Sequence, residues 1–371
     1  MEVSKAEPTY TAPTGLTATY GDTLADVVLP EGFTWKDAAA TVGNAGTNSF
    51  TVVYTPADTD NYETVEFTVE VEVSKAEPTY TAPTGLTATY GDTLADVVLP
   101  EGFTWKDAAA TVGNAGKNSF TVVYTPADTD NYETVEFTIE VEVSKADTAA
   151  VTQDPVAAGT LVANGSAQAL VQAGAATGGT LVYSLSENGP FSAQVPTATN
   201  AGTYTVYYKV QGDANHNDTQ VQSVTVTIYP NKITSDVYCV EESTHIRAVA
   251  AGKTVAQLWD GINEKAYVTV YNADGTVADS NALAATGMVA KLMVNGQVID
   301  TVTVVVTGDV NGDGKISITD VTAVKYHVLE KTLLTGVYLI AADASNDGKV
   351  SITDVTQIKY HVLEKTSVEA N

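Results

Sequence analysis

Two twelve-residue stretches near the end of this 371-residue chain place oxygen-bearing side chains at the spacing that wraps a hard divalent cation. The first is Asp309-Val-Asn311-Gly-Asp313-Gly314-Lys315-Ile-Ser317-Ile-Thr-Asp320. The second, 34 positions on, is Asp343-Ala-Ser345-Asn-Asp347-Gly348-Lys349-Val-Ser351-Ile-Thr-Asp354. Positions 1, 3, 5 and 12 offer side-chain oxygen, and position 7 offers a backbone carbonyl. The glycine at position 6 permits the sharp turn that aims successive groups at one point. The candidate ligands of one ion are therefore Asp309, Asn311, Asp313, the Lys315 carbonyl and Asp320. Those of the other are Asp343, Ser345, Asp347, the Lys349 carbonyl and Asp354. Two calcium ions are expected. Ser345 is the one unusual side chain among these ligands, so the second loop is expected to hold its ion more weakly.

A helix must follow each loop. Ser317-x-x-Asp320 and Ser351-x-x-Asp354 have the spacing of a capping box, which puts the twelfth ligand inside the first helical turn. Val321, Val324 and Val328 form one stripe of the first helix, and Val355, Ile358 and Val362 form the same stripe of the second. These stripes are expected to pack together. Thr319, Ala323, Tyr326 and Glu330 lie on the opposite side, matched by Thr353, Gln357, Tyr360 and Glu364. Tyrosines exposed at matching places suit a protein interface, since they offer large area, few rotatable bonds and a polar tip. A calcium sensor would carry Glu at position 12 and an incoming helix before each loop. Here position 12 is Asp, and Thr303–Thr307 reads as strand.

The elements upstream are mainly β. Residues 2–71 and 72–141 differ only at Thr47/Lys117 and Val69/Ile139. In each copy Val65, Phe67, Val69, Val71 and Val73 alternate with polar residues, the pattern of a strand with one buried and one wet face. Phe50 to Tyr54 forms a second strand, and Asp58-Thr-Asp60-Asn61 a turn. Asn200-Ala201-Gly202 and Asp213-Ala-Asn215-His216-Asn217 echo Asn44-Ala45-Gly46 and Asp58 to Tyr62, so residues 146–230 read as a diverged third copy. The cluster of Asp213, Asn215, Asn217 and Asp218 reads as a hairpin turn rather than a metal site. Residues 231–307 differ: Thr254 caps a helix carrying Val255, Leu258, Trp259 and Ile262, and strands follow at 266–271, 288–294 and 298–306. Asn295-Gly296 joins the last two in a type I′ turn. The opening residues match the tail of a repeat, as if the chain were cut from a longer protein at a repeat junction.

The formal net charge of −27 argues against nucleic acid, because no basic patch replaces counterions around phosphates. No run of eighteen apolar residues exists, so no membrane span is expected. Cys239, the single cysteine, excludes an internal disulfide framework and is expected to be buried in a strand. The four histidines are scattered, and His327 and His361 occupy equivalent helix positions, which favours a packing or interface role. No Ser-His-Asp, Cys-His or zinc-ligand spacing appears, so no enzyme activity is expected. Trp35 and Trp105 read as core residues, against a rival reading as sugar-stacking platforms.

With both loops and both helices in view, residues 308–366 resemble a dockerin, the calcium-dependent module that plugs into cohesin domains of bacterial cellulosomes and related assemblies. The resemblance implies cohesin contacts at Ile318, Thr319, Lys325 and Tyr326, and at Ile352, Thr353, Lys359 and Tyr360. It also implies a linker helix between Leu333 and Ala342. Residues 231–307 resemble the X modules that precede some dockerins, and the repeats resemble bacterial immunoglobulin-like domains of ruminococcal secreted proteins. The expected fold is mainly β: tandem Ig-like β-sandwiches at 1–75, 76–145 and 146–230, a small α+β or β X module at 231–307, and an all-α dockerin at 308–371. What these resemblances imply is a monomeric, extracellular, non-catalytic protein. It would join a polysaccharide-degrading complex, cellulosome or amylosome, through a cohesin of a scaffoldin or cell-surface protein. The alternative is an adhesin whose Ig-like domains hold starch or plant cell wall.

Overall fold

The computed structural model describes residues 3–241 and 244–363. Its contacts divide it into two compact units: residues 1–150 with 176–180 and 210–219, and residues 151–175, 181–209 and 220–371.

The first unit holds the two near-identical repeats. In the first repeat β1 (Leu16–Thr19), β2 (Phe33–Trp35), β3 (Gly46–Tyr54) and β4 (Val65–Ser74) form one sheet in the order β1-β4-β3-β2. β1 runs parallel to β4, pairing Leu16 with Val71, and β3 lies antiparallel to β4 in register from Gly46–Val73 to Tyr54–Val65. Val69, Val71 and Val73 are buried and their neighbours exposed, so the alternation in the sequence becomes two faces of one strand. The layer opposite is irregular. A 3₁₀ turn at Leu24–Asp26, capped by Thr23 and Asp26, drives Leu24 and Val27 onto the sheet beside Val42 and Val52. The second repeat has the same order and register in β5 (Leu86–Thr89), β6 (Phe103–Trp105), β7 (Gly116–Tyr124) and β8 (Val135–Ser144).

In the second unit, strand Gln222–Tyr229 pairs antiparallel with Gly202–Tyr208 and parallel with Leu161–Val162. Gly202 and Leu161, both opposite Ile228, correspond to Gly46 and Ala18, both opposite Val73. The third copy therefore keeps the topology of the repeat although its side chains have diverged.

The following module is a five-stranded sheet in the order Cys239–Glu241, His245–Val249, Gln297–Val306, Val289–Val294, Val268–Tyr271. α1 (Val255–Asp260) is capped by Thr254, whose hydroxyl accepts the Gln257 amide. It buries Val255 and Leu258 in a core with Ile246, Leu292, Val302 and Val304. Asn295 and Gly296 have φ of 49° and 80°, as a type I′ turn requires. Cys239 lies in a strand but its thiol is exposed, against expectation. Alternation assigns a side chain to a face, yet on the edge strand of a sheet nothing obliges that face to be covered.

Three helices end the described chain: α2 (Ile318–Val328), α3 (Gly336–Ala342) and α4 (Ile352–Val362). The linker helix is shorter than expected, beginning at Gly336. Val321 and Val324 of α2 pack with Val355 and Ile358 of α4, Ala341 and Ala342 of α3, and Val305 from the last strand of the preceding module. Among the described residues, no helix is long and apolar enough to cross a membrane.

Candidate calcium loops and recognition face

Both loops are positioned from each end by secondary structure. Strand Gln297–Val306 delivers Gly308 and Asp309, and the Gly308 amide donates to Ala341 O at 2.8 Å. At the far end Ser317 caps α2 and Ser351 caps α4. Each reciprocates with the twelfth loop residue: the Ser317 amide donates to Asp320 Oδ2 at 2.9 Å and the Ser351 amide to Asp354 Oδ2 at 2.8 Å. The capping box thus holds the position-12 carboxylate at a helix N-terminus, where partial positive charge stabilises it.

The remaining carboxylate oxygens face the loops. Asp309 Oδ1 accepts the amides of Gly312 and Asp313, at 2.8 and 3.1 Å. Asp309 Oδ2 accepts those of Gly314 and Thr286, at 3.1 and 2.9 Å. Asp320 Oδ1 accepts Val310 and Asn311. In the second loop Asp343 accepts Asp347 and Gly348, and Asp354 Oδ1 accepts Ser345 at 2.8 Å. Gly314 and Gly348 adopt φ of 77° and 82°, the left-handed turn expected at position 6.

The donor set fits a hard cation. Every candidate group is an oxygen, and Asp309, Asp320 and Asp354 are wholly buried. Burial pushes the Asp309 carboxyl above the usual carboxylate range and the nearby Asp320 adds to this, against the opposing amides of Thr286, Gly314 and Gly312. A buried carboxylate pair is costly unless a cation compensates it. Among the described residues no group of three or more His, Cys, Asp or Glu side chains is gathered as a metal cluster. The loops instead offer carboxylates mixed with amide, hydroxyl and carbonyl oxygen.

The two loops are not equivalent, and Ser345 is only part of the difference. The first is braced by the preceding module. Thr286 donates its amide to Asp309, while its hydroxyl accepts the Val306 amide at 3.0 Å and donates to Val306 O at 3.2 Å. A Cβ placed on Gly314 would lie 2.7 Å from Leu283 Cβ, and one on Gly312 would lie 2.8 Å from Thr286 O. The second loop is open: nothing stands within 4 Å of a Cβ on Gly348, and Asp347 to Lys349 are exposed. Ser345 Oγ donates to Asp343 Oδ1 at 3.4 Å. Thr286 was not legible as a site residue, because it lies 23 positions before Asp309.

On the outer face, Ile318 and Ile352 are 63% and 65% exposed, and Tyr326 and Tyr360 are both 44% exposed. Thr319, Lys325, Thr353 and Lys359 are exposed as well. All eight expected partner residues therefore face outward on two faces of nearly equal character. Thr319 Oγ1 contacts Ser317 Oγ at 2.6 Å and accepts from Asn311 Nδ2 at 3.0 Å, tying the first face to its loop. Ala323 and Gln357 are half-buried, and Glu364 lies outside the described residues. His327 Nδ1 accepts the Leu334 amide at 3.0 Å, a packing role.

Trp35 and Trp105 belong to the cores. Trp35 Nε1 donates to Val27 O at 2.9 Å and its ring meets Phe50 edge-on, and Trp105 does the same with Val97 and Phe120. Asp213 makes an ordinary turn, with Oδ1 accepting the Asn215 amide at 2.8 Å and contacting His216 Nδ1.

No curated protein matches the chain. Among solved structures it is similar to the protocadherin GammaB4 extracellular domain, at 11% identity over 78% of this chain and 65% of that one, with a TM-score of 0.25. An I-band fragment of titin matches at 8% identity over 58% of this chain and 94% of that one, TM-score 0.25. Drosophila N-cadherin matches at 10% identity over 78% and 97%, TM-score 0.18. Residues 307–363 match the model of the dockerin type I domain, and that match supports a dockerin module, of a domain type that binds calcium, at the C-terminal end of this mainly β chain.

Proposed function

We propose that this chain is the non-catalytic part of a secreted protein that docks onto a cohesin of a scaffoldin or cell-surface protein and so joins a polysaccharide-degrading complex. The dockerin match over residues 307–363 carries the reading. Two calcium ions, one per loop, would be held by Asp309, Asn311, Asp313, the Lys315 carbonyl and Asp320, and by Asp343, Ser345, Asp347, the Lys349 carbonyl and Asp354. With calcium bound, the carboxylate charge would be offset, and the loops would hold α2 and α4 in the arrangement that displays Ile318, Thr319, Lys325 and Tyr326, and Ile352, Thr353, Lys359 and Tyr360. Residues 231–307 act as an X-type support for the first loop. The Ig-like repeats serve as a spacer, each with strands of nine and ten residues, about 30 Å long at 3.3 Å per residue.

The near-equal exposure of the two faces supports cohesin binding in two orientations related by about 180°. The test is titration of a panel of cohesins into the chain, with and without EDTA. Affinity should vanish in EDTA, since ordering of the loops is coupled to the metal; undiminished binding would sink the proposal. With a cohesin that binds, replacing Thr319 and Tyr326 by Ala should leave affinity within about twofold, whereas changing both copies should abolish it. A large loss from one copy alone would refute the dual mode.

A further inference from the structure

The face that joins one repeat to the next is repeated in the first unit, and in the first repeat that face is open. At the first junction Asn131 Oδ1 accepts the Ala45 amide of the preceding repeat at 2.9 Å, and Tyr132 meets Tyr20 edge-on at 5.4 Å. At the second, Asn215 Oδ1 accepts the Ala115 amide at 2.9 Å, and His216 takes the place of the tyrosine against Tyr90 at 5.3 Å. The asparagine is the constant element, and its orientation is set within its own repeat. Asn131 Nδ2 donates to Asp128 Oδ2 at 2.8 Å, Ala76 donates to Asn131 O at 2.9 Å, and Lys75 Nζ reaches Thr129 O at 2.6 Å.

The first repeat has this scaffold intact. Asn61 Nδ2 donates to Asp58 Oδ2 at 2.8 Å, Ala6 donates to Asn61 O at 2.9 Å, and Lys5 Nζ reaches Thr59 O at 2.7 Å. What differs is cover. Asn131 is buried, whereas Asn61 is exposed and Tyr62 stands 40% exposed.

We infer that the Asn61–Tyr62 face of the first repeat is a docking surface for another copy of the same repeat, which would present its counterparts of Ala45 and Tyr20. The acceptor is pre-organised, so docking orders no further groups on this side. The ligand is specified by an interface already formed at Asn131. This would make the repeat array extensible in one register, each new copy meeting the same asparagine.

The test uses the full chain beside the same chain extended by one further copy of residues 2–71 ahead of Glu2, with amide hydrogen exchange as the readout. Asn131→Ala calibrates the effect: it should speed exchange of the Ala45 amide by about fivefold, the size of one hydrogen bond. In the extended chain Asn61→Ala should speed exchange of the added copy's equivalent amide by the same factor. In the unextended chain it should cost only the local Asn61–Asp58 bond, with exchange altered within residues 58–63 alone. Exchange in the extended chain that ignores Asn61→Ala would overturn the inference. So would an unextended chain destabilised as much as the extended one, since Asn61 would then serve its own repeat alone.

Discussion

Alanine substitution at the sixth position of each calcium loop separates what the loop needs in itself from what the neighbouring module adds. Gly314 and Gly348 have nearly the same φ, 77° and 82°, so alanine meets the same left-handed backbone strain in both, about 1–2 kcal/mol. The surroundings differ. At Gly348 the new methyl group enters open space, whereas at Gly314 it lies 2.7 Å from Leu283 Cβ and 3.2 Å from Ala284 O. Neither neighbour is the tip of a flexible side chain, so relief requires the loop or residues 283–284 to shift, an overpacking cost of about 1–3 kcal/mol. Gly348→Ala should therefore destabilise the C-terminal helices by about 1–2 kcal/mol, and Gly314→Ala by roughly 2–5 kcal/mol. Urea denaturation in saturating calcium, followed by ellipticity at 222 nm, reads this, because α2, α3 and α4 hold most of the α-helix. Equal losses at the two glycines would refute the claim that the preceding module braces the first loop. A chelator titration of the unmodified chain should agree, with the second loop releasing its ion first.

Two further outcomes follow from the upstream domains. Trp35→Phe removes the donor to Val27 O and should cost the first repeat about 1–3 kcal/mol, visible as a lower melting temperature. Paired with Trp105→Phe it should leave retention on insoluble starch and cellulose unchanged, and loss of retention would favour the adhesin reading. Cys239, exposed on its strand, should react with one equivalent of an aromatic disulfide reagent in the native protein; a thiol that reacts only after unfolding would contradict its placement.

Much of the candidate site is local and was therefore legible. Ligand spacing, the position-6 glycines, the Ser-x-x-Asp caps and the two apolar stripes all lie within one loop and the helix after it. Spacing of three or four residues along a helix decides which side chains share a face. For the same reason Ile318, Tyr326 and their counterparts could be placed outward, and Val321, Val324, Val355 and Ile358 inward. The alternation from Val65 to Val73 likewise placed β4.

Contacts between distant segments were decided only by the folded chain. Thr286 reaches Asp309 because a strand of the preceding module runs directly into the loop, and no periodicity reports that meeting. Two loops of similar sequence thus become one braced loop and one open loop. Asn131 reads as a turn residue like Asn61, and it becomes a junction residue because another repeat supplies the Ala45 amide. Cys239 shows the same division: its strand was readable, but whether the face carrying its thiol is covered depends on what packs there, and among the described residues it is left exposed. Donors, caps and exposed faces could be read from the chain alone, because they depend on neighbours along it. The tertiary structure decided which loop is braced, which asparagine is covered and which thiol is free, because burial depends on what distant residues bring.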